Sequence, residues 1–138
     1  MEYKIETPSD QQQIIQFLDD RLYEYNSQTI HRLDGRLFSK IIREKEEIIA
    51  GIAGWIWADA CEITFLWVKE EYRKKKLGEK LLHAAEGEAM DANCNVILIS
   101  SYSFQAPFFY EKHGYKIEHI IEEFPKGHKY YWLIKRFQ

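Results

Sequence analysis

Between residues 61 and 102 the chain changes its hydrophobic rhythm twice. CEITFLWV (61–68) is β-branched and aromatic, the composition of a strand. From Lys76 to about Asp91 the apolar positions Leu77, Leu81, Leu82, Ala84, Ala85 and Ala89 recur at helical spacing, while Glu79, Lys80, Glu86 and Glu88 take the other side. NVILISSY (95–102) is then almost continuously apolar, the pattern of a strand covered on both faces. Strand, helix and strand in that order predict a right-handed crossover with 95–102 parallel to 61–68.

The same reading places elements on either side. EYKIE (2–6) alternates as a short strand, and Ser9 opens a helix to about Asn26, with Ser9 and Gln12 at capping-box spacing. Ile14, Ile15, Phe17, Leu18, Leu22 and Tyr25 form the apolar side of that helix. Ser27 to Gly35 has no clear period. LFSKIIRE (37–44) and IIAGIAGWIWA (48–58) predict two strands around a charged turn, the glycines of the second marking a bulge or a close approach. With 61–68 they make an antiparallel meander. Pro107 suits a first helical turn and Gly114 a helix end, so 105–113 predicts a short helix. Strands at 115–122 and 129–136 close the chain around Pro125-Lys126-Gly127. The class is α/β (α+β), one domain over 1–138, with a mixed, mostly antiparallel sheet of about six to seven strands and flanking helices.

Composition narrows the partners. At 138 residues and 46% hydrophobic content the chain can build a core. Its net charge of −3 gives no general attraction to nucleic acid or anionic membrane, so a basic patch must act locally. No signal-like start and no apolar run of membrane-spanning length is present, which makes a cytoplasmic protein the expectation. Cys61 and Cys94 read as reduced core thiols, and His31, His83, His119 and His128 show no metal spacing, so no metal is expected.

One basic run is placed to act locally. Arg73, Lys74, Lys75 and Lys76 follow the 61–68 strand and precede the helix. The first N–H groups of a helix lack intrahelical partners and carry the positive end of its dipole, so the segment is built to meet an anion such as a diphosphate. The bland alternative is a solvated charged loop.

These residues carry a resemblance. Val68, Arg73, Leu77 and Gly78 match the Gln/Arg-x-x-Gly-x-Gly/Ala cofactor pattern of the GNAT superfamily of acetyl-CoA-dependent N-acyltransferases. Ser103 to Tyr115 (SFQAPFFYEKHGY) follows that family's Asn-x-x-Ala-x-x-Phe-Tyr-x-x-x-Gly-Phe/Tyr. The element order agrees over nearly the whole chain. Three positions depart from the pattern: Lys76 and Lys74 where glycine is usual, and Ser103 where asparagine is usual.

The resemblance implies a sheet splayed at its central parallel pair, with acetyl-CoA in the splay and an acetyl group passing directly to a primary amine of a small molecule or peptide. It implies that Leu66, Trp67 and Val68 hold pantetheine as an added strand, that Arg73, Lys74, Lys75, Lys76, Leu77, Gly78, Glu79 and Lys80 hold pyrophosphate, and that Ser103, Ala106 and Phe109 line the channel. Glu62 resembles the family's general base, and Tyr110 the tyrosine that faces the cofactor sulfur. The bland readings are a solvent-facing strand glutamate, a core aromatic and, for Ser103, a helix N-cap. Tyr23, Tyr25, Trp55 and Trp57 are candidate acceptor-site aromatics, or ordinary sheet cover. A second hypothesis is a non-catalytic GNAT-like domain that binds CoA or a protein. Homodimerisation through the aromatic strand KYYWLIKR stays open.

Overall fold

The computed structural model describes residues 2–137 and divides into two compact units, one up to Leu33 and one from Asp34. In the first, residues 2–8 form no strand: alternation alone does not make one without a partner ladder. Helix α1 runs Gln11–Ile30. Its cap is Asp10 rather than Ser9, the Asp10 carboxylate accepting from the Gln13 N–H at 3.1 Å. The helix also takes in part of the segment that lacked periodicity, ending at His31 in a left-handed conformation with φ 58°.

The second unit is a six-stranded sheet of order β1-β2-β3-β4-β6-β5, formed by β1 (Arg36–Glu44), β2 (Glu47–Trp57), β3 (Ala60–Val68), β4 (Val96–Tyr102), β5 (Lys116–Glu122) and β6 (Lys129–Arg136). Only β3 and β4 pair in parallel, joined by helix α2 (Leu77–Asp91); a short helix α3 (Pro107–Lys112) follows β4. The aromatic strand β6 lies inside the sheet, hydrogen-bonded to β4 and β5, and so offers no free edge to a second copy.

The core forms where α2 meets the sheet. Leu81, Leu82, Ala85 and Ala89 of α2 are buried against Ile52, Ile56, Cys61, Ile63, Ile97, Ile99 and Leu133. Burying each large aliphatic side chain contributes about 1.5–3 kcal/mol. In β4 only Ile97, Ile99 and Ser101 are buried and the alternate residues are half-buried, so one face, not both, is fully covered. Both cysteines are buried and free. Burial pushes the Cys61 thiol up to about 12, which makes it unreactive at neutral pH.

Two carboxylates, Glu88 and Glu86, pin α2. Glu88 accepts from Arg36 at 2.8 Å and pairs with Lys40 at 2.7 Å, tying the helix to β1. Buried Glu86 accepts from the Tyr115 hydroxyl and from Lys135 Nζ, each at 2.9 Å, while the same ammonium donates to the His113 carbonyl. The second network joins α2, the end of α3 and β6 and satisfies a carboxylate that would otherwise be costly to bury. Among the described residues no helix is long and apolar enough to cross a membrane.

Candidate active site

The site begins with a bulge. Phe65 pairs with Ala53 but Ile63 pairs with Gly54, so Thr64 is an extra residue in β3. The insertion shifts the alternation by one: Cys61 and Ile63 face the core before it, Leu66 and Val68 pack on the core after it. Glycine is needed opposite, because a Cβ on Gly54 would collide with the Glu62 carbonyl and lie 2.7 and 2.9 Å from the Phe38 ring. The close approach expected in β2 falls here.

The bulge coincides with the end of the parallel ladder. β3 and β4 pair from Ala60↔Val96 to Ile63↔Ile99 and no further, although β3 continues to Val68 on β2 and β4 continues to Tyr102 on β6. The open sides of both strands bound a cleft of about 890 Å³. An extended ligand can hydrogen-bond to such an internal edge as an added strand.

Above the splay lies the basic elbow. After a 3₁₀ turn at Glu70–Tyr72, Arg73 donates through Nε to the Val68 carbonyl at 3.1 Å, fixing the elbow to the strand it leaves. Lys74 and Lys76 have φ of +65° and +61°, the left-handed region, at the two positions where the family pattern prefers glycine. A β-carbon there costs on the order of 1 kcal/mol, so the turn keeps the glycine conformation without the glycine. Lys76 is the N-cap of α2 and gives no side-chain cap, leaving the first turn of the helix open toward the cleft wall formed by Lys76, Leu77, Gly78 and Glu79. Together the internal edge, the uncapped helix end and the lysines fit a long thioester cofactor with a diphosphate.

The opposite wall comes from α3. Pro107 starts the helix and places Ala106, Phe109 and Tyr110 on the cleft. Tyr110 is 7% exposed. Burial pushes its phenol up to about 12, so it stays protonated at neutral pH and can donate a hydrogen bond.

Of the expected residues, Leu66, Trp67, Val68, Arg73, Lys74, Lys76, Leu77, Gly78, Glu79, Ala106, Phe109 and Tyr110 line this one cleft. Others lie elsewhere. Lys75 sits over the Tyr72 ring at 5.4 Å, and Lys80 is exposed on α2; neither lines the cleft. Ser103 is neither a channel wall nor a helix cap: its Oγ accepts from the Lys129 N–H at 3.0 Å and its N–H donates to the Lys129 carbonyl, extending the β4–β6 ladder. Glu62 is half-buried in β3 between Trp55 and Leu98, beside the splay but outside the cleft wall. Trp55 and Trp57 are half-buried in β2 and do not reach the cleft; Tyr23 and Tyr25 belong to α1 in the N-terminal unit.

Several wall residues were not anticipated, among them Thr64, Phe65, Tyr72, Phe104, Gln105 and His113. Gln105 has a local cue, since its side chain accepts from the Tyr102 N–H at 2.7 Å and closes the turn after β4. Folding also brings His113 beside His83 and Glu79.

Comparisons with known proteins agree with this geometry. A model described as the acetyltransferase (GNAT) family matches residues 3–115. A blasticidin-S acetyltransferase of Streptomyces morookaense is 30% identical over 93 residues, 67% of this chain and 68% of that one. The crystal structure of an acetyltransferase from Bacillus cereus ATCC 14579 has a TM-score of 0.81 at 32% identity and covers 98% of both chains. A structure from Bacillus anthracis str. Ames that holds acetyl coenzyme A shares the fold, with a TM-score of 0.65 at 21% identity over 73% of this chain and 62% of that one.

Proposed function

The chain belongs to the GNAT acetyltransferase family and acetyl-CoA is its cosubstrate, and on that premise we propose that it acetylates a primary amine of a small molecule by direct attack on the thioester. The observation that carries this reading is the splay: an unpaired strand edge from Thr64 to Val68, ending at an uncapped helix, with a buried phenol opposite. A small-molecule acceptor is favoured by the blasticidin-S acetyltransferase relative.

Each residue then has a physical task. The backbone of Leu66 to Val68 aligns the pantetheine arm, and a freed N–H near Leu66 polarises the acetyl carbonyl. Lys74, Lys76 and the N–H groups of Leu77, Gly78 and Glu79 hold the diphosphate. Val68 and Phe109 lie 3.9 and 3.7 Å from where a Gly78 side chain would begin, ordinary contact distances, so a β-carbon there would fit against both.

During transfer the amine nitrogen bonds to the acetyl carbon, the C–S bond breaks, and the nitrogen loses a proton. Glu62 takes that proton through water from its half-buried position beside the splay. Tyr110 donates a hydrogen bond to the departing sulfur. Its phenol at about 12 exceeds an ordinary thiol pKa of about 8.5, so donation rather than complete proton transfer is its task at neutral pH. The sign also fixes a pH window for this residue: Tyr110 is protonated at neutral pH, and its contribution to the rate is lost as pH rises through its folded value.

A thermal-shift experiment with CoA, acetyl-CoA and an oligonucleotide tests the reading, since a ligand bound only by the native state raises Tm. The expected result is a rise with both CoA species and none with the oligonucleotide, followed by thiol release with a subset of small amines. No shift with either CoA species at millimolar concentration would overturn it. A shift without thiol release over a broad panel of aminoglycosides, nucleoside amines, polyamines and peptide N-termini would instead indicate a non-catalytic CoA-binding domain.

A further inference from the structure

We propose that Glu79, His83 and His113 form a transition-metal site of the zinc class on the rim of the cleft. The three offer one carboxylate oxygen and two imidazole nitrogens, all within 4.8 Å of one another. Three atoms this close surround a point within about 2.8 Å of each, so rotations of under an ångström bring them to the roughly 2.0–2.2 Å of zinc–nitrogen and zinc–oxygen bonds.

The arrangement follows from the fold. Glu79 and His83 stand four residues apart on α2, hence on one face one turn apart. His113 comes from the end of α3, where its N–H donates to the Tyr110 carbonyl at 3.0 Å and its own carbonyl accepts from Lys135 at 2.9 Å. Its ring is bracketed by Phe109, with centroids 4.8 Å apart, and by the His83 ring at 5.5 Å and 85°. The third ligand is therefore held in place by the backbone and by packing before any ion arrives, and no large movement is needed to bind one.

Donor chemistry selects the ion. Two neutral imidazoles and a carboxylate suit Zn²⁺, Co²⁺ or Ni²⁺ and disfavour Mg²⁺ and Ca²⁺, which prefer all-oxygen sites. Three protein ligands leave a further position for water or an anion. Glu79 and His113 also line the cleft, whereas His83 is exposed outside it. His83 is thus the residue through which metal binding can be removed without touching the proposed acetyl-transfer machinery.

The test uses the tag-free full chain, stripped with chelator. Calorimetric titration with Zn²⁺ is expected to show one ion per chain, and Co²⁺ to give visible d–d bands that Zn²⁺ abolishes. His83→Ala is expected to weaken Zn²⁺ binding by at least about tenfold while keeping the Tm measured in chelator and the thiol-release rate; His113→Ala is expected to weaken it similarly. Absence of Zn²⁺ heat and of Co²⁺ bands would overturn the proposal. So would binding that survives both substitutions, since that would place the ion at another histidine or at the cysteines. Neither outcome depends on acetyl transfer.

Discussion

The β3–β4 pair behaves as two different objects along its length. From Ala60 to Ile63 it is a closed parallel ladder whose side chains Cys61 and Ile63 are 2% and 3% exposed. From Thr64 to Val68 the same strand, equally apolar in sequence, has lost its neighbour, and Phe65 and Trp67 are 70% and 49% exposed. Hydrophobicity does not distinguish the two parts. One inserted residue does: the bulge at Thr64 reverses which side chains face the core and turns the strand out of register with β4. The closed ladder contributes stability, the open part leaves an internal strand edge, and the fold obtains both from nine residues, Ala60–Val68.

Substitution at the bulge should disturb this division most. Gly54→Ala forces a β-carbon into the Glu62 carbonyl and the Phe38 ring, neither of which can move freely, and is expected to cost about 2–4 kcal/mol in denaturant unfolding. A loss under about 0.5 kcal/mol would mean that β2 and β3 are not held this close.

On the open side, Tyr110→Phe is expected to lower turnover by about 10- to 100-fold at unchanged acetyl-CoA affinity, because it removes one donor without changing the wall. Steady-state rates with a calorimetric Kd separate the two effects, and unchanged turnover would take Tyr110 out of the chemistry.

The elbow should respond more weakly. Lys76→Gly exchanges left-handed strain of on the order of 1 kcal/mol for the similar backbone entropy of glycine, so net stability should shift by less than about 0.5 kcal/mol. Lys76→Gln should weaken acetyl-CoA binding by about two- to fivefold at low salt, the difference fading at high ionic strength. A salt-independent difference would assign the effect to shape instead of charge.

Of similar size is the tie between α2 and β1. Hydrogen bonds from Lys40 and then Arg36 hold the Glu88 carboxyl below the usual carboxylate range. A lowered folded pKa gives stability that is present above the unfolded value of about 4.3 and lost as pH falls through the folded one. With both cations well exposed, Glu88→Gln is expected to cost about 0.5–1 kcal/mol at pH 7 and progressively less as pH falls through the folded value, read from urea midpoints. An undiminished difference at pH 3 would show a packing effect.

The sequence reveals most where local pattern and final surroundings agree. Helix α2 follows from its leucine and alanine spacing, α3 from Pro107 and Gly114, and the elbow from its place between strand and helix. Reading fails where a distant partner decides. Residues 2–6 alternate as a strand does yet pair with nothing, and Ser103 looks like a helix cap until β6 supplies Lys129. Glu79 and His83 share helical spacing on α2, but no local pattern links them to His113, which the end of a separate helix brings beside them. The glycines of β2 signalled a close approach, but the bulge they accommodate lies in the next strand, where no residue type announces it.

Amide hydrogen exchange with and without CoA tests the two-part strand most directly. New protection is expected at Thr64–Val68 and Leu77–Glu79 alone, with Ala60–Ile63 unchanged because its ladder is already closed. Unchanged exchange at Thr64–Val68 in CoA-saturated protein, or protection spread evenly along β3, would contradict it.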